Sequence, residues 1–146
     1  MRQCMKEVFN LFKAKIQCIW INTYEENEVL KDLKEIIIDI PGMKLFTWTQ
    51  TEGLRKIPIT NVENPEEPDR RVNFDGLFLK IYSAQNSENP DSGAYVIKDL
   101  HMAIDTPAFK RFIRDLKEYP SKNYNPIIVT APVTYIPLEL EKLFHV

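Results

Sequence analysis

The sequence predicts an α/β protein with a mainly parallel sheet of four to five strands and helices on both faces. Two observations carry this. Short apolar runs such as Cys18-Ile19-Trp20-Ile21 and Pro126-Ile127-Ile128-Val129-Thr130 have the character of strands buried on both sides. Between the runs lie stretches with apolar residues three and four apart, the mark of amphipathic helices. At 146 residues, without repeat or low-complexity tract, residues 1–146 are expected to form a single domain.

Residues 1–15 place Cys4, Val8, Leu11 and Phe12 at helical spacing. The strand over 18–21 follows, then Thr23-Tyr24-Glu25-Glu26, which reads as a capping box. In it the Thr23 hydroxyl accepts from the Glu26 amide and the Glu26 carboxylate reaches back. The helix it starts buries Val29, Leu30, Leu33, Ile36 and Ile37 and is closed by Pro41-Gly42. Residues 44–49 alternate and are rich in β-formers, giving the second strand. The polar stretch 50–71 holds a small extra strand or hairpin over 55–60 and a loop over 64–69. A helix over about 74–84 presents Phe74, Leu77, Phe78 and Ile81 on one face. After the turn-rich 85–93 comes the strand that begins at Tyr95 and ends in Lys98-Asp99-Leu100-His101. Thr106-Pro107 is an N-cap followed by proline at the first helical position. Its helix turns Phe109, Phe112, Ile113 and Leu116 inward and Lys110, Arg111, Arg114 and Lys117 outward. The strand over 126–130 and a short helix opened by Ile136-Pro137-Leu138-Glu139-Leu140 complete the chain.

The apolar share of 44% and charged share of 27% are those of a soluble globular protein. A net charge of −2 argues against a nucleic-acid partner, which calls for a basic footprint. No run reaches the roughly 20 apolar residues of a membrane span, and the N-terminus lacks a signal-peptide core, so a cytoplasmic location is expected. Cys4 and Cys18 lack metal or redox spacing and read as buried thiols.

In an open parallel sheet, ligands bind outside the carboxyl ends of the strands. Thr23, Glu25 and Glu26, then Thr51, Glu52 and Gly53, then Asp99, His101 and Asp105, and finally Thr130 are expected there. Asp99 has the place of the acidic residue that holds Mg²⁺ in nucleotide-hydrolysing α/β proteins. Yet the chain has no G-x-x-x-x-G-K-[ST] phosphate loop. A rim of Glu25, Glu52, Asp99 and His101 suits a divalent cation in principle, so one reading is a metal-dependent phosphotransfer or nuclease-type enzyme with Asp99 and Glu25 as ligands. The acidic strand end lacks a second carboxylate two residues on, which weakens that reading. Trp20 and Trp48 read as core or interface aromatics, Tyr24 as a contact residue, and Arg111 and Arg114 as neighbours on one helix face.

Five motifs in order resemble a group of AAA+ ATPases of the chloroplast and cyanobacterial type, with relatives in bacteria and phages. They are Ile21-Asn22-Thr23-Tyr24-Glu25-Glu26, the Trp-x-x-x-x-Gly pattern of Trp48 and Gly53, Lys98-Asp99-Leu100-His101, the Arg111/Arg114 pair, and Ile136-Pro137-Leu138-Glu139-Leu140. Members of this group carry an extra α/β domain ahead of the ATPase core. The resemblance runs from about Ile19 to Leu140 and implies a P-loop-ATPase-like fold without the phosphate loop. In order along the chain, the four main strands would be arranged 1-4-3-2, with His145-Val146 starting a fifth beside the first. Asp99 would take a Walker-B-like place and Thr130 a sensor-like one. ATP and Mg²⁺ would belong to a separate core, and this domain would hold no cofactor and hydrolyse nothing.

The leading expectation is a non-catalytic interaction or regulatory domain that binds a partner protein, a substrate protein of the motor, the AAA+ core or a neighbouring subunit. Its contact candidates are Tyr24, Glu25, Glu52, Asp99 and His101, flanked by Arg111 and Arg114. A third reading is a stand-alone phage or mobile-element protein that engages a host complex.

Overall fold

The computed structural model describes residues 3–22, 25–40, 42–49, 51–58, 68–86, 93–98, 107–118 and 124–131. In chain order the elements are α1 (Gln3–Lys13), β1 (Cys18–Asn22), α2 (Glu26–Ile37), β2 (Lys44–Thr49), β3 (Gly53–Ile57), α3 (Phe74–Asn86), β4 (Gly93–Lys98), α4 (Pro107–Glu118) and β5 (Ile127–Ala131). The five strands form one sheet in the order β1-β5-β4-β2-β3. The first four run parallel, and β3 returns antiparallel along β2. The expected arrangement of the four main strands is therefore observed, and the small extra strand is a hairpin partner of β2 starting at Gly53. Ile59 and Thr60, the other end of that expected strand, lie outside the described residues, as do His145 and Val146.

The two directions of travel explain the layers. From β1 to β2 the chain crosses the sheet one way, and from β4 to β5 it steps back the other way. Right-handed crossovers then put the connecting helices on opposite faces. On one face Val8 and Phe12 of α1 and Val29, Leu33, Ile36 and Ile37 of α2 pack with Ile19, Leu45, Val96 and Ile128. On the other, Leu77, Phe78 and Ile81 of α3 and Phe109, Phe112 and Ile113 of α4 pack with Trp20, Trp48, Tyr95 and Val129. Strict alternation along each strand sends neighbouring residues to opposite cores, which is why β4 and β5 are apolar nearly end to end. The α3/α4 side is the aromatic one: Phe78 stacks on Phe112 at 4.4 Å, and Phe46 on Tyr95 at 4.9 Å. Trp20 and Trp48 are core residues, 1% and 6% exposed, and Cys18 is a buried free thiol.

Helix ends show where local chemistry decides. α1 stops in a Schellman motif: the Ile16 amide donates to Leu11 O, and the Lys15 amide to Phe12 O. Lys15 sits there at φ 59°, the left-handed position glycine usually takes. The N-cap of α2 lies two residues past the expected Thr23, and the hydrogen bonds of the expected capping box lie outside the described residues. The helix begins at Glu26 with Glu25 at its N-cap and no side-chain cap, and the amides of Glu28 and Val29 donate to Glu25 O. Thr23 lies outside the described residues. The Glu26 carboxylate stands 4.0 Å from Lys98 Nζ on β4. At the far end, α2 finishes at Ile37, ahead of the expected Pro41-Gly42 stop, and Gly42 makes the following turn at φ +77°. Pro41 lies outside the described residues.

Candidate functional site at the carboxyl edge of the sheet

Because β1, β5, β4 and β2 are parallel, their carboxyl ends Asn22, Ala131, Lys98 and Thr49 lie along one edge. That is where an open α/β sheet binds ligands. β1 feeds α2 there, and Glu25, Glu26, Asn27 and Glu28 of the first turn line an open hollow of about 390 Å³. Glu25 and Glu28 are exposed, and Glu26 is half-buried against Lys98.

Lys98 earlier figured only as a letter of the Lys-Asp-Leu-His motif. Its place follows from alternation: Val96 packs on the α2 side, so Lys98, two residues on, shares that face. Thr130 is its register partner on β5 and Ile21 the next one across, on β1. Thr130 is fully buried, and its Oγ1 has no hydrogen-bond partner among the described residues.

Of the expected contact residues, the four described ones do not form one cluster. Glu52 is exposed in the turn after β2, where its amide donates to Thr49 Oγ1 at 3.0 Å. It shares the carboxyl edge with Glu25, but β5 and β4 stand between β1 and β2. Three strand spacings of about 4.8 Å put the two roughly 14 Å apart, too far to share one cation. Arg111 and Arg114 ride on α4, across the sheet from α2, so they do not flank the acidic turn. Arg111 is exposed and pairs with Asp115 at 2.9 Å, and Arg114 is half-buried. Tyr24, Asp99 and His101 lie outside the described residues. Among the described residues, no three His, Cys, Asp or Glu side chains are placed to hold a metal ion.

The Trp48–Gly53 motif proves to be architectural. Trp48 Nε1 donates to Val72 O at 2.9 Å. Leu54 and Asp69 exchange backbone hydrogen bonds of 3.1 and 2.7 Å. Gly53, at φ +75°, lies so close to the Asp69 carbonyl that a Cβ has no room. Together they clamp residues 69–72 to the end of β2 and deliver the chain to α3, which Asn73 caps by accepting from the Gly76 amide. Hydrogen bonds from Arg71 hold the Asp69 carboxyl below its ordinary value. The W-x-x-x-x-G spacing gave the residues but not this role, because the partner segment lies some twenty residues further on.

Among the described residues, the charge of the first turn of α2 disfavours phosphate. A helix N-terminus favours phosphate most where glycines leave its amides open. Here glutamates stand there instead, and like charge repels.

The family model for the SpoVK-like AAA ATPase, N-terminal domain, matches residues 4–146. The chain is also 26% identical over 136 residues to the uncharacterized AAA domain-containing protein ycf46 of Guillardia theta, covering 93% of this chain. It spans about a quarter of that relative's length, 25%. No solved structure matches the chain. The motif resemblance to AAA+ ATPases and the family model thus agree, and the chain belongs to the SpoVK-like AAA ATPase N-terminal domain family.

Proposed function

We propose that residues 1–146 act as one non-catalytic, ATPase-like α/β unit of an AAA+ ATPase, an interaction or regulatory module that binds a partner protein, a substrate protein or a neighbouring subunit. The carrying observation is the acidic first turn of α2, with Glu25, Glu26 and Glu28 around an open hollow where a nucleotide-binding relative of this fold would cradle phosphate. An exposed acidic turn at a sheet's ligand edge suits a basic protein surface better than a nucleotide. Tyr24, Glu25, Glu52, Asp99 and His101 are the contact candidates, with Glu25 and Glu52 on that edge. Arg111 and Arg114 belong to a second contact on the opposite face. Membership of the AAA ATPase N-terminal family supports the setting, and ATP and Mg²⁺ are assigned to a separate core.

Titration with ATP and Mg²⁺, followed by the fluorescence of buried Trp20 and Trp48 and by phosphate release, tests the non-catalytic half. No saturable change and no release are expected. Micromolar binding, or turnover abolished by Asp99→Ala, overturns it. For the binding half, the AAA module of a full-length family member is titrated with this chain. Glu25→Lys with Glu28→Lys is expected to weaken that binding at least tenfold.

A further inference from the structure

Thr130 carries a problem that the partner-binding reading does not use. Among the described residues its buried hydroxyl has no hydrogen-bond partner, a state proteins generally avoid. Its register neighbours are Ile21 on β1 and Lys98 on β4. By alternation Thr130 lies on the face of Ile128, which packs with α2. The Glu26–Lys98 contact brings the first turn of α2 over this same row. One spot thus combines a buried hydroxyl donor, an ammonium on a side chain only 19% exposed, and the N-terminus of a twelve-residue helix. Each of these attracts negative charge, and the group now facing Lys98 is the Glu26 carboxylate.

We infer that this row is an oxyanion cradle of the phosphate class, in which the chain's own Glu26 carboxylate neutralises Lys98 but leaves the Thr130 hydroxyl unmet. Glu26 thus stands in for part of a bound anion at the carboxyl edge. The plug is light: a contact of 4.0 Å between partly exposed side chains is a weak ion pair. Glu25 and Glu28 are solvent-exposed, so physiological salt screens much of their repulsion toward a small anion. This inference is independent of the partner-binding reading, since it concerns what fills the row and not what covers the edge.

Chemical rescue tests it on the 146-residue chain. Glu26→Ala is expected to melt about 2–3 °C below wild type in chloride. Millimolar inorganic phosphate at matched ionic strength should recover at least half of that loss, while leaving wild type unmoved. Adding Lys98→Met or Thr130→Val to Glu26→Ala should remove the phosphate-specific gain. If Glu26→Ala fails to fold, Glu26→Gln, which keeps the side chain's size, is read by the same phosphate-minus-chloride difference. An equal phosphate effect on wild type and variant, no phosphate effect on either, or a gain that survives loss of Lys98 overturns the inference.

Discussion

The two edges of the sheet are built on opposite terms. At the amino edge, polar groups are buried and tied to one another. Gln17 Nε2 donates to Asn125 O, the Gly93 amide donates to Asn125 Oδ1, and the Tyr124 hydroxyl donates to Ile16 O. Backbone bonds from Ile127 to Gln17 and from Tyr95 to Pro126 lock the strand starts in register. At the carboxyl edge the described acids are exposed or half-exposed, and the ion pair is long. Interactions that close on themselves serve stability; groups left facing outward are available for contacts. The comparison teaches that this fold gathers its described hydrogen-bond network at one edge of the sheet and its exposed acids at the other.

Substitutions at the amino edge should therefore cost the most. Gly93→Ala is expected to destabilise by about 3 kcal/mol, since the added Cβ would meet the backbone of Lys44, its partner on β2. Asn125→Ala should cost about 2 kcal/mol by leaving the Gly93 amide buried without an acceptor. Urea unfolding measures both, and a loss below about 0.5 kcal/mol for either would break the contrast. Tyr124→Phe should cost about 1 kcal/mol. Burial, and secondarily the neighbouring Cys18 sulfur, raise the Tyr124 hydroxyl above its ordinary value. A raised value in the folded chain means that Tyr124 contributes fully below about pH 10 and loses that contribution as pH climbs toward the folded value. Wild type should thus lose stability above about pH 10 more steeply than Tyr124→Phe in pH-dependent melting.

Much of this contrast was legible in the sequence, but unevenly. The apolar runs at Cys18 and Ile127 and the helical spacing at Val29 and Phe109 announced elements and cores, because burial leaves a periodic trace along the chain. The acids after β1 were visible as candidates for the same reason: strand ends can be located. What stayed hidden is contact between distant positions. Glu26 read as a capping residue because Thr23 stands at the right local offset, and its contact with Lys98, seventy-two residues on, leaves no local mark. Glu25 and Glu52 looked like neighbours because both follow strands, and only the strand order separates them. Asn125 and Gln17 were not singled out, since a buried amide network has no periodicity.

A stabilising change sharpens the same picture from the amino side. Lys15 holds a left-handed conformation that costs a side-chain-bearing residue about 1 kcal/mol relative to glycine, and its own side chain reaches only over the Tyr124 ring at 5.1 Å. Lys15→Gly is expected to gain about 0.5 kcal/mol once the lost ring contact and the looser unfolded chain are set against relief of strain. A loss instead of a gain would show that the cation over Tyr124 outweighs the backbone.

The smallest effect on stability is expected where the largest effect on binding is. Glu28 is exposed on the first turn of α2, and Glu28→Lys removes one favourable charge from the helix N-terminus. That interaction is worth about 0.3–1 kcal/mol at low salt and less under screening, so the melting curve should barely move at physiological ionic strength. Partner affinity, if it rests on this acidic turn, should instead fall several-fold and depend on salt, because removing a rim charge acts on association steering. Glu52→Lys, roughly 14 Å along the same edge, serves as the control for a general field effect. Equal losses from both would assign the binding to net charge, whereas a loss confined to Glu28 would assign it to the α2 turn. A melting point lowered by Glu28→Lys as far as by Asn125→Ala would erase the distinction between the two edges.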